Sequence, residues 1–233
     1  MSAVLLILDP FLREPAFEAI NQISKIHSEV VRDLKIDSRI EFFFPSHSSS
    51  SLKDYLDKFD ANDKLIGVIS LGSYANVGDN LDWVKQYGKD LKENIIEKGV
   101  PFFGICFSHQ LLAWIYGANV SFIENRESLP EKKYNEFREI TITHPKIKKI
   151  YNHKETFISR AKHEQEVKDL PIELELGGFS SHCKIEILVH KYLPAFSVQS
   201  HPEEFHETGE GILLVKNIIV FFYTWLGNWE RIS

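Results

Sequence analysis

Cysteine is nearly absent from this chain: its 233 residues include two, Cys106 and Cys183. Two thiols build no disulfide framework, so the fold has to rest on a packed core, and free thiols point to a reducing, cytoplasmic setting. Long apolar runs are missing as well. No stretch approaches membrane-spanning length, and the opening Met1-Ser-Ala-Val-Leu-Leu-Ile-Leu-Asp9 lacks a basic head and reads as a buried strand rather than a secretion signal. There is no basic surplus either. The formal charge of −6 gives no reason to expect a nucleic-acid partner, and the short clusters Lys132–Lys133 and Lys146–Lys149 read as solvated faces. No internal repeat or linker divides the chain. A hydrophobic fraction of 43% supports one sizeable core, so residues 1–233 are expected to form a single domain.

What is present alternates between apolar strands and amphipathic helices. Strands are expected at Val4–Leu8, Ile40–Phe44 and Leu65–Leu71. Helices are expected at Ala16–Leu34, introduced by Pro15, at Asp54–Phe59 and at Asp82–Lys98. The stretch 121–149 is charged and aperiodic, 150–200 is rich in strands, and an apolar helix closes the chain over Gly209–Leu226. This order predicts an α/β fold with three layers, a mostly parallel sheet carrying helices on both faces, and functional residues beyond the C-terminal ends of the strands.

One such strand end carries a cysteine. In Pro101-Phe-Phe-Gly-Ile-Cys106-Phe-Ser-His-Gln110, an apolar strand bounded by Gly99 and Gly104 meets a short helix expected over His109–Tyr116. A thiol at that joint sits at a helix N-terminus, where the dipole and free N–H groups favour thiolate. This is the layout of a nucleophile elbow. A buried, inert cysteine is the alternative for Cys106 taken alone. Downstream, Gln199-Ser-His201-Pro-Glu203 places a histidine and a carboxylate two residues apart in extended chain, on one side. Together they supply a nucleophile, a base and a group that orients the base.

The two segments resemble the class I glutamine amidotransferases, with their Gly-x-Cys-x-Gly-x-Gln and Gln-x-His-Pro-Glu motifs. The match here is Gly104-Ile-Cys106-Phe-Ser108-His-Gln110, with the histidine motif reaching His201 95 residues beyond the cysteine. Ile69-Ser-Leu-Gly72-Ser73-Tyr-Ala-Asn-Val77-Gly-Asp79 resembles the loop after the third strand in the stand-alone, GMP-synthase-like branch. His163-Glu-Gln-Glu-Val167 followed by Leu170-Pro171 is similar to a further family segment, with Gln165 where the family has aspartate. Ala118 likewise replaces a family glycine. The resemblance implies the flavodoxin-like fold of that family and cleavage of the glutamine side-chain amide through a γ-glutamyl thioester. Cys106 would be nucleophile, His201 base and Glu203 its orienting acid. The backbone N–H groups of Ser73 and Phe107 would hold the oxyanion, and Gly72 and Gln110 would contact substrate. That chemistry needs no cofactor and no metal. It implies glutamine or a γ-glutamyl compound as substrate and, as partner, an ammonia-accepting synthetase.

Ser108 stands where the family has its second elbow glycine. Its hydroxyl is expected to narrow the site, which keeps two other readings open: a γ-glutamyl peptidase acting on a small peptide or conjugate, and a catalytically weak binding or regulatory subunit. Other polar residues read as structural. His163 lacks the second histidine of a helical zinc motif and is expected in a solvated loop. Cys183, in Ser-Ser-His-Cys-Lys, has neither an elbow nor a clear catalytic-base signal. Asp79 and Trp83 have equally good explanations in the site, in packing or in capping.

Overall fold

The computed structural model describes residues 2–123 and 136–225. Its strands are β1 (Ser2–Leu8), β2 (Ser38–Phe43), β3 (Asp63–Ser70), β4 (Phe102–Ile105), β5 (Val120–Phe122), β6 (Glu136–Ile142), β7 (Thr156–Ala161), β8 (Gln165–Val167), β9 (Leu174–Phe179), β10 (Ile187–His190) and β11 (Ala195–Val198). Its helices are α1 (Phe17–Leu34), α2 (Leu52–Leu56), α3 (Asp82–Leu91), α4 (Phe107–Ile115), α5 (Pro145–Ile150) and α6 (Glu210–Thr224). Nine strands form one sheet in the order β2-β1-β3-β4-β11-β10-β9-β6-β7, and β5 pairs with β8 apart from it. The five strands from β2 to β11 run parallel, and from β11 outward each pairing is antiparallel.

Alternation along the inner strands divides the core into two layers. Leu5 and Ile7 of β1 face a layer completed by Ile23, Ile26 and Val30 of α1 and by Leu214, Ile218 and Phe222 of α6. Leu6 and Leu8 face the opposite layer, closed by Leu52 of α2, Val84 and Leu91 of α3, and Leu111 and Leu112 of α4. This is the three-layer arrangement read from the sequence. Because β1, β3 and β4 are covered on both faces, they read as continuous apolar runs.

Several boundaries differ from expectation, each for a local reason. The second helix begins at Leu52 because Ser51 caps it, its Oγ accepting from the Asp54 N–H at 3.1 Å in a capping box. The helix expected over Asp82–Lys98 stops being α-helical at Leu91 and continues as one π-helical turn, Lys92–Ile96. Within the stretch read as aperiodic lie β6 and α5, the latter opened by Pro145 and capped by the His144 side chain. Lys146 is buried rather than solvated, and its Nζ donates to the Lys191 carbonyl at 3.3 Å. Lys132, Lys133 and Leu226 lie outside the described residues.

The sheet and α6 meet most tightly at Gly67 of β3, where an added Cβ would fall inside the Phe222 ring. Gly67→Ala should therefore destabilise the fold by about 1–3 kcal/mol through overpacking. Urea unfolding measures this, and combining Gly67→Ala with Phe222→Leu should recover part of the loss. Additive penalties would show that the two positions do not share this contact.

Candidate active site

Strand β4 passes into α4 through one residue. Cys106 has φ 52° and ψ −101°, a left-handed conformation that non-glycine residues hold only under constraint from their surroundings. The constraint is visible in the hydrogen bonds. The Cys106 N–H donates to the Val198 carbonyl at 2.9 Å, extending the ladder to β11. The Cys106 carbonyl accepts from the N–H groups of His109 (3.0 Å) and Gln110 (3.1 Å), which starts the helix. The helix thus begins at Phe107, two residues before the expected His109, and the Phe107 N–H, in its first turn, has no intrahelical acceptor. Gly104 is required beneath this turn, because a Cβ there would lie 2.9 Å from the Ser108 carbonyl oxygen.

Just past the end of β11, the neighbouring strand, sits His201. Its N–H donates to the Arg160 carbonyl at 2.7 Å, bracing it against β7. Its Nδ1 lies 2.8 Å from Glu203 Oε1, and Cys106 acts electrostatically on the ring from its other side. Burial alone would push the imidazole pKa down. Glu203 first and Cys106 second outweigh it and hold His201 well above its usual 6.5.

The third contribution comes from the loop after β3. A Cβ on Gly72 would lie 3.0 Å from His201 Cε1 and 3.5 Å from the Cys106 Cβ, so this position faces both side chains and leaves no room for one of its own. The Ser73 side chain turns back to donate to the Pro10 carbonyl at 2.8 Å. Ser73 and Cys106 border two cavities. One, of about 440 Å³, opens on the side of His201, Glu203, Glu204, Glu14 and Glu18. The other, of about 250 Å³, lies against Gln110, His163 and Gln165. Gln110 is buried in the wall of the smaller cavity, its Nε2 donating to the Gln165 carbonyl at 2.8 Å. The structure therefore gathers Cys106, His201, Glu203, Gly72, Ser73, Phe107 and Gln110 around one point.

Two residues at that point were not anticipated. Gln199, the first residue of the histidine motif, aims its Nε2 at Cys106 Sγ across 3.8 Å. Lys162, which carries no sequence signal, borders both cavities, and its carbonyl lies 3.9 Å from the same sulfur. Asp79 bonds Asn76, and Trp83 packs on Phe107 at 6.0 Å between ring centroids.

Two expectations are overturned. His163 is not in a solvated loop. It is buried, with its Nδ1–H donating to the Gln165 carbonyl at 2.9 Å, and burial pushes its pKa down to about 4. Ser108 does not narrow the site. It has ordinary negative φ and points under the elbow, where Oγ donates to the Leu71 carbonyl at 2.6 Å and lies 2.5 Å from Ser70 Oγ. Ser70 Oγ is in turn 2.5 Å from the Tyr87 hydroxyl. Since a carbonyl only accepts, the chain runs Tyr87 to Ser70 to Ser108 to Leu71. It ties the start of α4 to the loop carrying Gly72 and Ser73. Ser108→Ala leaves the Leu71 carbonyl and the Ser70 hydroxyl short of partners in a fully buried spot, and should lower stability by about 1–3 kcal/mol. Equilibrium unfolding checks this; unchanged stability would mean the chain of hydroxyls contributes nothing.

The comparisons with known proteins concern the family and the fold. The family model for glutamine amidotransferase class-I matches residues 50–220. A glutamine-hydrolyzing GMP synthase subunit of Pyrococcus abyssi is 38% identical over 123 residues, covering 52% of this chain and 61% of that protein. The protein of the same description from Thermoplasma volcanium is 29% identical over 192 residues, 82% of each chain. Several relatives are thus matched over only about 60% of their own length. Among solved structures, the glutaminase domain of Trypanosoma brucei CTPS with bound acivicin superposes with a TM-score of 0.70 at 15% identity, covering 96% of this chain and 94% of that one. A glutamine amidotransferase from Thermotoga maritima gives 0.60 at 18% identity, covering 87% and 76%. With its ordered motifs and a family model spanning most of its length, the chain belongs to the class I glutamine amidotransferase family.

Proposed function

We propose that this chain acts as one catalytic unit that hydrolyses the side-chain amide of glutamine, with Cys106 as nucleophile, His201 as proton carrier and Glu203 as the group that orients and charges it. The observation that carries this reading is that Cys106, held at a helix start in left-handed conformation, and a His201 ring bonded to the buried Glu203 carboxylate both face Gly72. The thiolate attacks the amide carbon. The oxygen of the tetrahedral intermediate takes up negative charge facing the N–H groups of Phe107 and Ser73. His201 gives its proton to the departing nitrogen, so ammonia leaves and a γ-glutamyl thioester remains. Water, deprotonated by His201, then attacks the thioester, and glutamate leaves as the Cys106 thiolate and the protonated His201 are restored. Gly72 leaves the space in which the amide sits, and Gln110 supports the wall against the glutamate part. The relatives described as subunits of a glutamine-hydrolyzing GMP synthase support delivery of the ammonia to a separate synthetase.

The second reading, a γ-glutamyl conjugate as substrate, is favoured by the cavity on the His201 side. At about 440 Å³ it has room for a leaving group much larger than ammonia. Ammonia release from glutamine and amine release from a γ-glutamyl alkylamide, measured side by side, separate the two. On whichever substrate is turned over, Cys106→Ala and His201→Ala should abolish hydrolysis, and Glu203→Gln should retain a small fraction. Cys106→Ala with native turnover would exclude the mechanism.

A pH profile tests the pairing itself. Because Glu203 and Cys106 hold the His201 pKa above 6.5, the alkaline limb of kcat/KM, where the imidazolium loses its proton, should lie above that value. Removing the Glu203 charge withdraws the largest raising influence. In Glu203→Gln the alkaline limb should move to lower pH. A limb that stays in place or moves upward contradicts the assignment.

A further inference from the structure

Behind the wall of the smaller cavity, three side chains with metal-binding chemistry converge. His163 comes from the turn between β7 and β8, and Cys183 and Glu186 come from the turn between β9 and β10. All three are buried, and the imidazole nitrogen, the thiol sulfur and a carboxylate oxygen lie within 4.8 Å of one another. Two of them are anchored on one side and open on the other. His163 Nδ1–H donates to the Gln165 carbonyl, which leaves Nε2 as a bare lone pair. Glu186 Oε1 accepts from Ser180 Oγ at 2.8 Å, and Oε2 has no partner among the described residues. The Cys183 thiol donates to the Ile185 carbonyl, at 3.5 Å.

We propose that this pocket binds one Zn²⁺-type divalent ion through His163 Nε2, Cys183 Sγ and Glu186 Oε2. Buried polar atoms without partners are rare and costly, and a cation satisfies a lone pair, a thiolate and a carboxylate oxygen together. The mixed N, S and O donors suit a borderline-soft transition metal rather than Mg²⁺ or Ca²⁺. The histidine is prepared as metal-binding histidines are, its other nitrogen donating to a backbone carbonyl and fixing the tautomer. Donors around tetrahedral zinc stand roughly 3.5 Å apart, so the widest pair has to close by about 1 Å. Water fills the fourth position. Charge balances: the ion's two positive charges meet one thiolate and one carboxylate, while Arg138 and Glu166, the flanking charged groups, oppose each other. Burial holds the Cys183 thiol protonated and raises the Glu186 carboxyl to about 7, so binding expels protons to solvent. The Gln165 carbonyl that fixes His163 also accepts from Gln110. A bound ion therefore locks the turn between β9 and β10 onto the wall beside Cys106.

The test uses metal-stripped Cys106→Ser protein, in which Cys183 is the one remaining thiol. Titrated with Co²⁺, it should retain one ion per chain through gel filtration and develop a near-ultraviolet thiolate-to-cobalt charge-transfer band, which Zn²⁺ should abolish by displacement. Adding His163→Gln or Glu186→Gln should weaken Co²⁺ binding at least tenfold in protein shown by circular dichroism to be folded. The proposal fails if Cys106→Ser binds no Co²⁺, or binds it without the band. It fails equally if only the wild type gives the band, which would place the ion on Cys106. Unchanged affinity in both folded double variants also overturns it.

Discussion

The hydrogen bond from the Cys106 N–H to the Val198 carbonyl organises this molecule. It keeps Cys106 on the sheet for one rung beyond β4, while the carbonyl of the same residue already opens α4. A chain that is strand on one side of a residue and helix on the other has to turn within that residue, and the turn puts φ at 52°. Such a conformation costs of order 1–3 kcal/mol and persists only where its surroundings leave no alternative. Here they leave none. β4 is clamped between β3 and β11, Phe102 and Phe103 are fully buried on opposite layers, and Gly104 lies against the Ser108 carbonyl. The same rung fixes what lies opposite the cysteine. β11 ends beside β4, so the residues after Val198 enter the site, and the Arg160 carbonyl holds His201 in place.

Around the elbow the interior is unusually polar, and its polar groups fall into two kinds. Most are paired: Tyr87, Ser70 and Ser108 form a directed chain ending on the Leu71 carbonyl, and His109 Nδ1 is bonded to Ser197 Oγ at 3.0 Å. These fix the relative positions of α4, β3 and β11 where a shift would spoil the site. Others are not paired. Among the described residues, His163 Nε2 and Glu186 Oε2 are buried without partners, as is His109 Nε2. Burial lowers the His163 pKa to about 4 and raises that of Glu186 to about 7. What sets His163 and Glu186 apart is that they converge, with Cys183, on one spot.

The sequence was legible where a property depends on near neighbours. β1, β3 and β4 announce themselves as apolar runs because both faces are covered, and the order of Cys106, His201 and Glu203 follows from motifs whose local geometry is extended or turn-like. It was illegible where the answer depends on distant chain. β6 presents its first half to partly exposed surroundings, so Glu136–Ile142 shows no clean alternation. The direction of the Ser108 side chain depends on Leu71, 37 residues away, and reverses its expected effect. The burial of His163 depends on a turn some 20 residues later, which charged neighbours at Glu164 and Glu166 concealed. Two helix starts were missed by two residues each because the N-cap residues, Ser51 and Cys106, set them.

Charge at the site is cooperative in a way that no single residue reveals. Glu203 is nearly buried, with one oxygen on His201 and the other without a partner among the described residues. With Glu203 bonded to the ring and Cys106 acting on it from the other side, the three side chains form one electrostatic unit, and a change at one alters the surroundings of the others. Energies at these three positions are therefore expected to be strongly non-additive.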